Sequence, residues 1–476
     1  MKRLAAAAVA VVLPLSACSA PSTREGVVVA AAAAPAGLDF TTVGGAAAPQ
    51  ALVGNVYETL VRIDDSGNPT PLLAESWEVD AQDVTFHLRN GVTFSNGKVF
   101  DADDAVFSIR YVQEEWTNGL KAQMAPVTEV EALDPRTVRV RVDGDVDTWL
   151  WTMGTLTGAM MTPDSVGRLA TDPLGTGPYT VARFDVGERI AFTAREDYWG
   201  GPVENDAAIR YFEDPVSAVN ALRVGDADVV WAMQSPQLIE TLPEDIRVEV
   251  GTTNGEVLLS MNNQRAPFDD PDVRRAAAYA IDRAAVNEIV YNGLATDTGG
   301  APVPPTDPWF SGRDYFPFDP DKARELLAGR TPEVTITVPN LPYAQEASEL
   351  IFSQLRDVGF VVTLDTVEFP AVWLAQVLKG RDYQASLIAH VEPRDIPMLF
   401  SQDYYLGYDN AQAREQIASG DLAGAVDTIM ADAAALTLVN APNIVLFAPG
   451  VSGLNPNVVT DSLRLSDIEI NSEVAK

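Results

Sequence analysis

Between Val84 and Leu88, apolar Val84, Phe86 and Leu88 alternate with polar Thr85 and His87. A period of two predicts a strand with one buried face. Asn90-Gly91 follows directly and predicts a hairpin turn. Val138, Val140 and Val142 repeat the alternation in "VRVRV", so residues 63–160 read as strand-rich. Helical periods open at Asp-Pro pairs, where the aspartate caps free N–H groups and proline fits the first helical position. Asp270-Pro271 starts one helix, and its apolar positions Val273, Ala277, Ile281 and Ala284 run toward a stop near Gly293. Asp319-Pro320 starts another, with Leu326 and Leu327 on the buried face and Gly329 as its end.

The densest pattern spans 333–392. "EVTITVPN" reads as a strand, 343–358 as a helix closed by Gly359, and "FVVTLDTVEF" as a second strand. Residues 370–380 read as a second helix and "ASLIAHV" as a third strand. This β-α-β-α-β order predicts a parallel sheet, hence an α/β protein. Ligands of open parallel sheets bind outside the carboxyl ends of the strands. "HVEPRD" occupies that place on the third strand and "PNLPY" on the first.

Composition changes this picture in three ways. A chain of 476 residues is too long for one simple core and predicts two or three domains. Acidic residues outnumber basic ones 67 to 33, for a formal charge of −34, which opposes nucleic-acid binding. The start carries Lys2 and Arg3, then the apolar run Leu4 to Leu13, too short to span a bilayer. Leu15-Ser16-Ala17-Cys18 resembles a bacterial lipobox, so 1–17 are expected to be a lipoprotein signal peptide, with Cys18 lipidated and 18–26 a tether. Cys18 is the only cysteine, which excludes a disulfide within the chain.

Catalytic and metal chemistry find little support. The two histidines, His87 and His390, lie far apart, and no zinc, EF-hand or dinucleotide spacing occurs. No serine nucleophile elbow is present. "GTGPY" at 175–179 reads as a turn, and "DADD" and "DDPD" read as helix N-terminal charge. No metal and no cofactor are expected.

Five segments in order carry a resemblance. They are "LAESWEV…VTFHLRNGVTFSNGKVFDADDAVFSIR" (73–110), "GTGPYTVARFDVGERIAFTAREDYWGG" (175–201), "DPVSAVNALRVGDADVVW" (214–231), "MNNQRAPFDDPDVRRAAAYAIDR" (261–283) and "FPFDPDKARELLAG" (316–329). Together they resemble the extracytoplasmic solute-binding proteins of ABC transporters, in the peptide- and nickel-binding group. The resemblance implies a two-lobed periplasmic-binding-protein-like (type II) α/β fold with a hinge and an additional domain inserted in the first lobe. Mapped on this chain, lobe I is 27–62, 165–250 and 441–476, the inserted domain 63–164, and lobe II 251–440. Tyr198 and Trp199 read as core aromatics.

It also implies a non-enzymatic, monomeric, lipid-anchored importer component that delivers a peptide or peptide-like solute to ABC permease subunits. The family pattern places an acidic residue after the third strand of the unit against the ligand's α-ammonium. Here that position is Glu392, with Asp395 as the following aspartate. Arg394 and His390 then serve an anionic or amide end; alternatively, Arg394 pairs with Asp395 or Glu392 and stiffens the loop. Two positions depart from dipeptide binders: Leu341 stands in place of an arginine before Pro342-Tyr343, and Ala389 in place of a tryptophan. Tyr343, Trp231, Trp373, Tyr404 and Tyr405 are candidate walls, and Thr41 and Thr42 lie in the first-lobe loop expected to border the cleft. Other readings remain open at this point: a receptor or scaffold of the same fold, a binder of a metal chelate or oligosaccharide, or a hydrolase using Glu392 and His390.

Overall fold

The computed structural model describes residues 26–233 and 235–471, so the expected signal peptide and Cys18 lie outside the described residues. Ten strands form one continuous sheet. They are β1 (Val27–Ala31), β2 (Tyr179–Asp185), β3 (Arg189–Ala194), β4 (Ala207–Tyr211), β5 (Val229–Val230), β6 (Arg247–Met261), β7 (Glu333–Pro339), β8 (Val361–Val367), β9 (Ala385–His390) and β10 (Ala435–Phe447). Their spatial order is β8-β7-β9-β6-β10-β5-β1-β4-β3-β2.

Two apolar cores divide this sheet. One gathers Val257 to Val439 around β7, β9 and the inner ends of β6 and β10. The other gathers Val27 to Trp231 with Val445 to Ile468, and a smaller cluster covers the opposite face of β1, β4 and β5. Among the described residues only β6 and β10 run through both halves, as an antiparallel pair of 15 and 13 residues. Their register breaks where Thr252↔Pro442 gives way to Glu256↔Asn440, a bulge that lets the strands bend between the two cores. Buried Asn440 holds the bulge, donating its amide to Thr253 O at 2.8 Å and to Gly255 O at 3.4 Å.

The strand-rich segment forms an antiparallel sheet of four strands in the order Ala74–Asp80, Asp83–Leu88, Thr137–Val142, Val127–Asp134. Val84, Phe86, Leu88, Val138, Val140 and Val142 are buried, as their alternation predicts. Its core is continuous with that of β1. Asn90-Gly91 does not close a hairpin here, because Asp83–Leu88 pairs with the preceding strand through a turn at Ala81 (φ 54°). The tight reversal comes later, at Asn96-Gly97, where Gly97 takes φ 83°.

The helix expected from Asp270 to Gly293 is two helices, α1 (Pro271–Ala280) and α2 (Arg283–Tyr291). Ile281 is extended, and the Asp282 side chain accepts the Ala285 N–H, capping a new start. Asp319 caps α3 (Pro320–Leu327), on which Leu327 is buried and Leu326 only partly so.

The parallel unit forms as predicted. After β7 comes α4 (Pro342–Val358), ended by Gly359 at φ 117°, and β7 pairs in parallel with both β8 and β9. The expected helix 370–380 is one α turn, Ala371–Trp373, running into a wider π turn, Leu374–Lys379. Both β7 and β9 deliver their carboxyl ends to the side where the bulge of β6 lies. Among the described residues no helix is long and apolar enough to cross a membrane.

Candidate functional site

The end of β9 lies beside the bulge, so Glu256 on β6 pairs in register with His390. Both are buried. His390 Nε2 meets the Tyr405 hydroxyl at 2.7 Å, and the two rings stack at 5.6 Å. The Tyr405 hydroxyl also bonds Ser260 Oγ at 2.6 Å, which fixes the imidazole from behind. Burial lowers His390 to about 4, against the opposing pull of Glu392, so the ring is neutral at pH 7. On its other side, His390 Nδ1 lies 3.5 Å from Asp395 Oδ2 and 4.0 Å from Glu392 Oε2.

Four carboxyl groups crowd this point. Burial raises Glu256 well above the usual carboxylate range, and the charges of Asp395, Asp307 and Glu392 add to it. Asp395 is raised in the same way, by burial first and then by Glu392 and Asp307. Glu256 Oε1, Asp395 Oδ2 and Asp307 Oδ2 are buried without a hydrogen-bond partner. Glu392 is different: its side chain is 59% exposed, and beyond the 4.0 Å approach of His390 it accepts the Val391 N–H at 3.3 Å. The sequence offers no metal motif, yet His390, Glu392 and Asp395 bring ligand atoms within 4.8 Å of one another.

A cavity of about 320 Å³ opens in front of Glu392. The second half contributes Val391, Glu392 and Pro393 to its wall; the first half contributes Gly44, Gly45, Trp151 and Asp461, the amides Asn118 and Gln123, and other small, hydroxyl-bearing and apolar residues. Asp461 comes from the segment after β10. Burial, and then the Glu392 charge, push its carboxyl up to about 6.

Arg394 does not form the loop ion pair that the sequence offers as one of its two roles. It makes no ion pair with Glu392 or Asp395 among the described residues, and its nearest carboxylate is Asp307, at 3.9 Å. Its backbone is left-handed at φ 55°, which swings the side chain across to the first half. There Nη2 donates to Gly67 O at 2.7 Å, and the guanidinium lies between the rings of Trp151 (4.5 Å) and Trp309 (5.1 Å). Burial lowers Arg394 to about 10, still fully charged at neutral pH.

The remaining expected residues fall into two groups. Glu392 reaches the cavity; Asp395 and His390 stand buried behind it. Trp373 is core, donating Nε1–H to Ser386 Oγ at 3.0 Å, and Tyr405 is fully enclosed. Tyr404 packs edge-on against Tyr405, and Tyr343 accepts the Ala389 N–H at 2.9 Å, tying α4 to β9. Trp231 borders a separate pocket of about 190 Å³ with Glu58 and Arg464. Thr41 is buried with its hydroxyl on Asp39, and Thr42 bonds the Asp39 carbonyl; Gly44 and Gly45 form the wall instead. Trp373, Tyr405, Tyr404 and Tyr343 are packed because the parallel unit needs large side chains between its sheet and helices.

Trp151, Glu256 and Asp461 were not foreseen. Glu256 had a signal, a lone charge opening the buried run Val257-Leu258-Leu259. Asp461 had none, because its segment shows no period.

A two-lobed α/β architecture, two strands crossing between the halves and a cavity where the halves meet define a class: the periplasmic-binding-protein fold. Within that class, residues 68–412 match the family model "Bacterial extracellular solute-binding proteins, family 5 Middle", and the chain belongs to this family. Heme-binding protein A of Haemophilus influenzae is 30% identical over 308 residues, 57% of this chain and 56% of that one. The glutathione-binding protein GsiB of Escherichia coli is 28% identical over 328 residues, 65% of this chain and 63% of that one. The matches thus span under two thirds of these relatives. NikA from Brucella suis, solved in complex with Fe(III)-EDTA, superposes with a TM-score of 0.81 at 20% identity, over 93% of this chain and 100% of that one.

Proposed function

We propose that the protein is the solute-binding component of an ABC importer, capturing a peptide or peptide-like solute between its lobes and delivering it to a membrane permease. The observation that carries this reading is the cavity between the halves with Glu392 exposed on its wall, at the carboxyl end of a strand of the parallel unit. Glutathione, which the relative GsiB is named for binding, is itself peptide-like. Bending at the β6–β10 bulge supplies the hinge for opening and closing. Binding rather than catalysis fits His390, whose imidazole is locked to Tyr405 behind the wall and does not line the cavity. Lipid on Cys18 would hold the body at the outer face of the membrane, as a monomer.

The test is native mass spectrometry of the full chain lacking only its lipid, followed by ligand release. A retained small solute, lost on Glu392→Gln, supports the reading. A protein that retains nothing from extracts or solute libraries overturns it.

A further inference from the structure

The cavity wall has an uneven charge. Ala46, Pro49, Val53, Leu120, Trp151 and Leu156 make its apolar part, and the ionisable groups on it are two carboxyls, Glu392 and Asp461. No Lys, Arg or His is among the described residues lining it. Arg394, the cation next in sequence to the wall, is held by Gly67 O and the two indole rings. Behind Glu392, the buried Glu256 Oε1 and Asp395 Oδ2 have no hydrogen-bond partner.

We propose that this cleft selects a small organic cation, its ammonium held between Glu392 of one lobe and Asp461 of the other, its body apolar and without a carboxylate inside the cleft. The inference rests on the solute-binding reading and names the class of solute.

Three arguments carry it. Two carboxyl groups facing one low-dielectric cavity repel each other when ionised, and a cation between them turns that repulsion into two charge-assisted hydrogen bonds. Because the two acids sit on different lobes, the same contact favours the closed arrangement over an open one. A carboxylate brought into the cavity meets no cation and two like charges, so zwitterions are disfavoured by the wall itself. The volume, about 320 Å³, sits at the small end of ligand cavities, which run from roughly 300 Å³ upward. That suits a solute of dipeptide size or less.

The experiment offers the full chain an equimolar mixture of Leu-Leu amide, free Leu-Leu, N-acetyl-Leu-Leu amide, leucine methyl ester, free leucine and maltose, read by native mass spectrometry with and without EDTA. The expected result is enrichment of Leu-Leu amide and the ester at least tenfold over their free acids, with the acetylated amide not retained. Asp461→Asn should lower the amide's affinity about tenfold and leave the unfolding midpoint of the ligand-free protein no lower than wild type. Equal or tighter retention of the free acids, or an unchanged affinity in Asp461→Asn, overturns the cation site while leaving a solute-binding protein. An EDTA-removable metal mass on the protein, with the amines ignored, overturns it in favour of a metal held by His390, Glu392 and Asp395. Retention of nothing from the mixture overturns it as well, and retention of nothing from broader extracts too removes the solute-binding reading with it.

Discussion

The guanidinium of Arg394 lies 4.5 Å from the ring centre of Trp151, across the boundary between the two halves of the molecule. Arg394 follows β9 in one half; Trp151, and Gly67 whose carbonyl accepts its proton, belong to the other. A buried cation over an indole contributes about 2 kcal/mol, and a charge-assisted hydrogen bond about 1.5–3 kcal/mol. Arg394→Ala should therefore loosen the closed form. Solute affinity should fall by roughly ten- to a hundredfold, for a loss of about 1.4–2.8 kcal/mol. Small-angle scattering should show a larger radius of gyration at subsaturating solute. Arg394→Gly relieves the left-handed backbone as well, so it should fold at least as well as the alanine variant while showing the same loosened closure. Unchanged affinity and dimensions in both variants would mean that the contact latches nothing.

The hinge makes its own prediction. Asn440 is fully buried, and its amide satisfies the carbonyls of Thr253 and Gly255, which the bulge removes from the strand ladder. Asn440→Ala leaves two carbonyls without that donor, at a cost of about 1–3 kcal/mol in unfolding free energy. Urea denaturation followed by tryptophan fluorescence measures this. A midpoint indistinguishable from wild type would show that solvent replaces the amide and that the bulge needs no clamp.

Local patterns told much of the fold, and long-range meetings little. The parallel unit at 333–390 and the buried valines of "VRVRV" followed from period and turn residues, because each depends on neighbours a few positions apart. The place of "HVEPRD" at a strand end followed from a topological rule applied to that unit, while Glu392 within it was singled out only by the family resemblance. The course of Arg394 followed from neither, because its direction depends on one left-handed backbone angle, and a partner more than 300 residues away receives it. The same holds for Glu256, whose neighbour His390 is set by strand register, and for Asp461, brought to the cavity by an irregular tail. Asp282 misled in the opposite sense: it lay inside an unbroken apolar period, and its local capping bond ended one helix and began the next.

Tyr198 and Trp199 are half-buried rather than the core aromatics that the sequence suggests, Tyr198 lining the pocket of about 190 Å³, and both have a polar duty. Their Oη and Nε1 atoms each donate at 2.7 Å to the carboxylate of Glu58, and Thr176 Oγ1 donates at 2.8 Å. Glu58 is 2% exposed, so three converging donors need a group that only accepts. In Glu58→Gln, one side of the amide turns a donor toward donors. The loss should be about 3 kcal/mol of unfolding free energy, from a hydrogen bond to a charged acceptor and a buried donor left unpaired. Tyr198→Phe removes a single donor and should cost about half as much. Thermal and urea unfolding of both variants checks the order; Tyr198→Phe proving the more damaging would refute the convergent-acceptor account.

Asp461 gives the site a pH dependence whose sign can be worked out. Its folded-state value, about 6, lies above the ordinary 3.8, with burial as the first cause and Glu392 as the second. An acid raised on folding binds its proton more tightly in the native state, so it lowers stability progressively as pH rises from about 4 through 6, and by a constant amount above that. His390, at about 4 and below its ordinary 6.5, acts in the opposite direction between those values, and the buried carboxyls Glu256, Asp395 and Asp307 also titrate nearby. The wild-type profile is therefore a composite, and the difference from Asp461→Asn isolates the one group. Ligand-free Asp461→Asn should be the more stable protein at pH 7.5, by up to about 3 kcal/mol from a shift of roughly two pH units, and should converge on wild type near pH 4. For a cationic solute the order reverses: wild-type affinity should drop severalfold from pH 7.5 to 5, because the carboxyl must lose its proton to bind, and Asp461→Asn should flatten that slope. Calorimetric titration at the two pH values, with Leu-Leu amide as the solute, measures both arms on the same samples. Parallel slopes in the two proteins would place the titrating group elsewhere and remove Asp461 from the cation's contacts.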